Sequence, residues 1–157
     1  MDSQVFTLFH VAISLIAILS GLVVLYGLLT ANRMGGTTLL FLTTTAATSV
    51  TGFLFHREHV LPAHVVGAIA LTVLLVTLPA LYAFHLRGIW RVVYVIGALI
   101  SLWLNVFVLI VQAIVKIPSL HGLVPQGSEP PFAVVQGVAL LLFAALGILA
   151  VKRFRPV

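Results

Sequence analysis

The chain has 157 residues, of which 62% are hydrophobic and only 7% charged, with a mean hydropathy of +1.26. A water-facing surface needs far more charge, so this composition excludes a soluble globular domain and points to the bilayer as solvent. Cysteine is absent, which excludes structural disulfides, thiolate metal sites, iron–sulfur clusters, covalently attached haem and thiol nucleophiles.

A spanning helix needs about 20 apolar residues, and five stretches meet that requirement in chain order. The first covers residues 6–30. Met1-Asp2-Ser3-Gln4 before it lacks the positive region of a signal peptide, and the apolar run is too long for one, so a retained helix is expected. The second covers residues 37–55 and the third 63–84, opened by Pro62 and interrupted by Pro79, which is expected to kink it. The fourth covers 92–115. Residues 116–131, rich in Pro and Gly, read as an irregular external loop, and Pro130 and Pro131 open the fifth stretch, residues 132–151. Trp90, Tyr94, Tyr82 and Tyr26 fall near one interface, where amphipathic rings anchor. The expected fold is therefore all-α, a single transmembrane domain of five helices over residues 1–157.

The formal charge of +5 does not indicate nucleic-acid binding, because its placement has a simpler cause. Arg33, Arg87, Arg91, Lys152, Arg153 and Arg155 fall in the first and third links and the tail, with no acid among them. Asp2, Arg57, Glu58, Lys116 and Glu129 occupy the start, the second link and the fourth link. This is the positive-inside pattern; it predicts an outside N-terminus and a cytoplasmic C-terminus, in a bacterial cytoplasmic (inner) membrane. Weak attraction to anionic inner-leaflet lipid adds to it.

The polar side chains carry the functional signal. With five spans threaded in order, His10, His56, His64, Gln112 and Gln136 all fall in the outer half. At a rise of 1.5 Å per residue, His10, Gln112 and Gln136 lie roughly 9–12 Å outward of their helix centres. His56 and His64 lie roughly 14–15 Å out, near the headgroups. Helical spacing puts His10, Ser14, Ala17 and Gly21 on one face of the first helix, and Thr45, Ser49, Gly52 and His56 on one face of the second. The third carries His64, Ala68 and Thr72; the fourth Gly97, Ser101, Asn105, Gln112 and Lys116; the fifth Gln136, Phe143 and Gly147. Small residues on such stripes let helices approach closely, and Ser, Thr, Asn and Gln also serve simply as hydrogen-bonding glue between helices. Ionisable groups inside a membrane mark sites by default. The expectation is an outward-facing pocket with His56 and His64 at its mouth, His10, Gln112 and Gln136 on its walls, and Asn105, Thr44 and Thr48 at its floor.

Imidazole ligates haem iron, copper, zinc and non-haem iron. A metal site would draw on His10, His56, His64 and Glu58. A haem b would use His10 or His56 with His64; His85 alone lies on the inner side, so a two-haem wire across the membrane is not expected. A quinone headgroup suits His10, His64, Gln112, Gln136 and Asn105, and each of these occupants implies a redox role. The alternatives are a proton-coupled transporter of small solutes, with His10 titrating, and a non-catalytic subunit or assembly factor that binds another membrane protein or a second copy of itself. No phosphate-binding loop, dinucleotide fingerprint or His-Glu-x-x-His motif is present.

Several pieces, namely Phe9-His10, Thr51-Gly52-Phe53, His64-Val-Val-Gly67, Leu104-Asn105-Val106-Phe107 and Ser128-Glu129-Pro130-Pro131-Phe132, resemble those of small polytopic bacterial membrane proteins. That resemblance implies the membrane fold and no particular activity. Histidines on separate membrane helices also give a loose resemblance to helical b-type cytochromes, which implies haem ligation by histidine without the inner and outer pairing of that family.

Overall fold

A computed structural model describes residues 4–55, 62–121 and 129–155. They form helices and no strand: α1 (Gln4–Leu29), α2 (Gly35–Phe53), α3 (Pro62–Tyr82), α4 (Ile89–Lys116), the single turn α5 (Pro118–His121) and α6 (Glu129–Arg153). The all-α expectation holds, and each predicted stretch corresponds to one long helix. The helices overrun the purely apolar stretches by a few residues at most ends, because helical hydrogen bonding continues where hydrophobicity stops. Within the link read as irregular, α5 adds one helical turn.

The expectation of five spans is met in part. Four helices, α1, α3, α4 and α6, are long and apolar enough to cross a membrane. α2 falls short because seven of its 19 residues are threonine. Its hydroxyls fold back on the helix: Thr43 donates to Leu39 O at 2.8 Å, Thr44 to Leu40 O at 2.7 Å and Thr51 to Ala47 O at 2.7 Å. This local bonding satisfies the side chains without a partner helix.

α1, α2, α3 and α4 pack in sequence, α1 on α2, α2 on α3 and α3 on α4, with α4 closing the group against α1. α6 lies outside it, against α1 and α4. Among the described residues α1 and α3 do not touch, being held apart by α2 and α4. α4 contacts every other helix and is the hub of the bundle.

Close approach at the hub rests on glycine. A Cβ on Gly97 would come within 2.0 Å of Thr77 Oγ1, and one on Gly21 within 2.6 Å of Leu102 Cδ1 and 2.8 Å of Phe41 Cε2. The apolar core, with Val24, Leu28, Phe41, Leu74, Val95 and Phe154, occupies the half nearer the α1–α2 and α3–α4 links. The opposite surface character holds outside: Leu75 is 73% and Leu141 71% exposed. Exposed apolar surface on this scale is untenable in water and ordinary in lipid.

Arginines and lysine gather at the core-side end, hereafter the basic end. Arg91 Nη1 donates to Val151 O at 2.9 Å and to Phe154 O at 2.5 Å, capping the C-terminal carbonyls of α6 with a guanidinium. Phe84 stacks on Trp90 with ring centres 3.9 Å apart. Tyr94, expected at an interface, is instead buried against Phe154. α3 runs through Pro79 and ends at Tyr82.

The Gly97–Thr77 contact yields a direct test. Gly97→Ala should lower stability by about 1–3 kcal/mol, the usual cost of overpacking, read as a lower melting temperature in detergent. Thr77→Ala in the same chain removes the clashing hydroxyl and should recover most of the loss. Additive effects in this double-mutant cycle would show that the contact is not tight.

Candidate functional site

The end opposite the basic one carries most of the side chains singled out by the sequence. His10 on α1 faces the C-terminal turn of α2, with Nδ1 2.7 Å from Thr51 Oγ1. Thr51 has one proton to donate, and its hydroxyl already lies 2.7 Å from Ala47 O. With that proton on Ala47 O, the hydroxyl oxygen accepts from His10 Nδ1–H, and in this tautomer Nε2 carries the lone pair. Phe55 meets the imidazole edge-on, with ring centres 5.1 Å apart and planes at 88°, and Phe6 packs on Phe55 at 5.0 Å. A Cβ on Gly52 would be 3.8 Å from His10 Cε1, an ordinary contact.

One turn below, Ser14 Oγ donates to His10 O at 2.7 Å and lies 3.4 Å from Thr48 Oγ1. His10–Thr51 and Ser14–Thr48 are thus successive rungs between α1 and α2. Nearer the middle, Asn105 Nδ2 on α4 donates to Thr45 Oγ1 at 3.0 Å. Thr45 is fully buried. On the far side of α4, Gln136 Nε2 of α6 donates to Phe107 O at 3.3 Å, while Gln136 Oε1 is buried with no hydrogen-bond partner among the described residues. Leaving such a carbonyl unsatisfied costs about 1–3 kcal/mol.

The expected wall and floor residues are therefore distributed among helix pairs. His10 sits between α1 and α2, Asn105 between α2 and α4, and Gln136 between α4 and α6. His64 stacks on Phe53 with ring centres 5.7 Å apart, on the α3 side of α2 and hence across that helix from His10. Gln112 is exposed on α4, and Ala68 and Thr72 of the His64 stripe are exposed on α3. Thr44 bonds to its own helix. His56 and Glu58 lie outside the described residues. Among the described residues no group of three or more His, Cys, Asp or Glu is placed to share a metal ion.

Thr51 and Phe55 are the partners the sequence did not nominate. The face of α2 emphasised by Thr45, Ser49 and Gly52 lies next to the one that meets α1, and Thr48 and Thr51, three residues apart, mark that second face. Chemically, the cluster offers one imidazole held through Nδ1 by Thr51, and a histidine so held by one ring nitrogen can ligate a metal or accept a proton through the other. Among the described residues Gln136 Oε1 adds an unpaired acceptor.

Thr51→Val keeps the shape and removes the acceptor. The nitrogen-15 chemical shifts of His10 should then move away from a pure Nδ1–H tautomer towards a mixture. Unchanged shifts would mean that Thr51 does not set the tautomer. No family model matches this chain, and no curated protein or solved structure is found similar to it.

Proposed function

We propose that the protein is an integral membrane binding protein whose histidine end holds a redox-active ligand, a haem, a metal ion or a quinone. The observation that carries this reading is the His10–Thr51 hydrogen bond, which fixes the imidazole while leaving Nε2 able to ligate or to exchange a proton. A haem or a quinone headgroup, which needs only one or two protein contacts, fits the separated polar groups better than an ion caged by one chain. In this reading His10 is the residue that holds the ligand, while His64, Gln112, Gln136 and Asn105 stand on other helix pairs or on the exposed surface. Transport is less well supported, since the half of the bundle beyond Thr45 and Asn105 is filled by the apolar core.

The same reading includes α2 as a fifth span, an outside N-terminus and a cytoplasmic C-terminus in a bacterial inner membrane. Its support is the segregation of Arg33, Arg87, Arg91, Lys152, Arg153 and Arg155 at one end, together with the packing of α2 along its length between α1 and α3.

A second reading rests on a different residue. Gln112 exposes a primary amide on a membrane-crossing helix, where an unpaired amide is costly and a bond to another helix relieves it. That favours a non-catalytic subunit or assembly factor, docking another membrane protein or a second copy.

Two experiments test these proposals. The protein purified from its native membrane should show an absorption band, stoichiometric metal or extractable quinone that His10→Ala abolishes and Gln112→Leu does not. A colourless, metal-free and quinone-free protein would overturn the redox reading, and loss of co-purifying protein in Gln112→Leu would then select the second. The natural absence of cysteine makes topology direct to measure. With five spans, Ser3→Cys should react with an impermeant thiol reagent from outside the cell and Arg155→Cys only after lysis; four spans would put both on one side.

A further inference from the structure

The basic end carries a feature that the histidine end does not explain. Between α4 and α6 runs a groove of about 460 Å³, floored by Leu99, Phe143 and Gly147, with Trp103 at its deep end and Val92 and Lys152 at its mouth. From Val92 to Trp103 the helix advances eleven residues, about 16 Å along its axis. That is close to half of the roughly 30 Å hydrocarbon thickness, the depth of a single leaflet. The volume falls within the range of about 300–1,000 Å³ typical of ligand sites.

Charge at the mouth selects the occupant. Lys152 lines the groove and is exposed, and Arg87, Arg153 and Arg155 are exposed at the same end. Arg91, beside them, is committed to the carbonyls of Val151 and Phe154. Residues 82–91 and 150–157 contain no acid, so this positive field has no local counter-charge. An apolar slot one leaflet deep with an ammonium at its headgroup level matches an acyl chain joined to a phosphate.

We propose that the α4–α6 groove is a binding site for an anionic phospholipid, with one acyl chain seated along Ile96, Phe143 and Gly147 and the phosphate on Lys152. A zwitterionic lipid offers the same chain but cancels part of the charge attraction, so the site discriminates by headgroup.

Trp103 reports on the groove directly. The full chain with Trp90→Phe, leaving Trp103 as its single tryptophan, is reconstituted in phosphatidylcholine vesicles containing either phosphatidylglycerol or phosphatidylcholine brominated in the acyl chains. Brominated phosphatidylglycerol should quench Trp103 at about fivefold lower mole fraction, the effect of one basic side chain at a membrane surface. Lys152→Gln should shrink that difference to under twofold, and Ala144→Phe, at an exposed groove position, should weaken quenching by both lipids. Equal quenching by the two lipids in the parent chain overturns the proposal whether or not either variant folds. So does an Arg155→Gln chain that loses the preference as fully as Lys152→Gln, since the whole basic end would then be acting. Absence of quenching by either lipid, with the chain dimeric, would assign the groove to a second copy and likewise overturn it.

Discussion

Hydrocarbon cannot accept or donate a hydrogen bond, so a polar group that this chain carries into it is costly unless it finds a partner within the protein. That constraint arranges the bundle. Hydrophobic burial does not draw helices together in lipid, where the surroundings are as apolar as the helix surface. What remains is close packing and hydrogen bonding. Thr43, Thr44 and Thr51 of α2 meet the demand for hydrogen bonds locally, by bonding to carbonyls one turn back. Thr51, Thr48 and Thr45 of the same helix reach α1 and α4, through His10, Ser14 and Asn105. α2 is consequently both the least apolar long helix and the one that joins its neighbours.

The two halves of the bundle solve different problems. At the basic end the helices are fused by apolar side chains and by glycines that admit a neighbour, as at Gly97 and Gly21. At the histidine end the contacts are pairwise hydrogen bonds and aromatic edges, and among the described residues some bonding capacity is left over at Gln136 Oε1. A packed half tolerates little change of shape. A half held by directional bonds with spare valences is the one suited to receiving a ligand.

Much of this was legible in the residues alone. Helix number and order follow from long apolar runs, and the shared end of His10, His64 and Gln136 follows from threading those runs back and forth. Charge segregation is likewise plain in the one-dimensional pattern. Convergence was not legible. Depth along a helix is set by sequence position, but neighbours are set by packing, and α2 standing between α1 and α3 puts His10 and His64 on opposite sides of it. Gln112 shows the same gap: over seven residues it drifts only about 20° from the face of Asn105, yet it is exposed, so a shared face does not by itself bring a neighbouring helix to it. Tyr94 failed as an interface anchor for a related reason, because only the fold reveals that Phe154 covers it.

The rungs between α1 and α2 also bear on how the chain enters a membrane. A helix with seven threonines gains little by leaving the translocon alone, whereas α1 is strongly apolar and precedes it. Under the five-span reading, His10–Thr51 and Ser14–Thr48 let the two partition together as a hairpin, each hiding the other's polar side from lipid. Biogenesis would then depend on a pair of segments acting as one insertion unit, and damage to either rung would be felt as lost yield of membrane-integrated protein before any loss of function in the molecules that succeed.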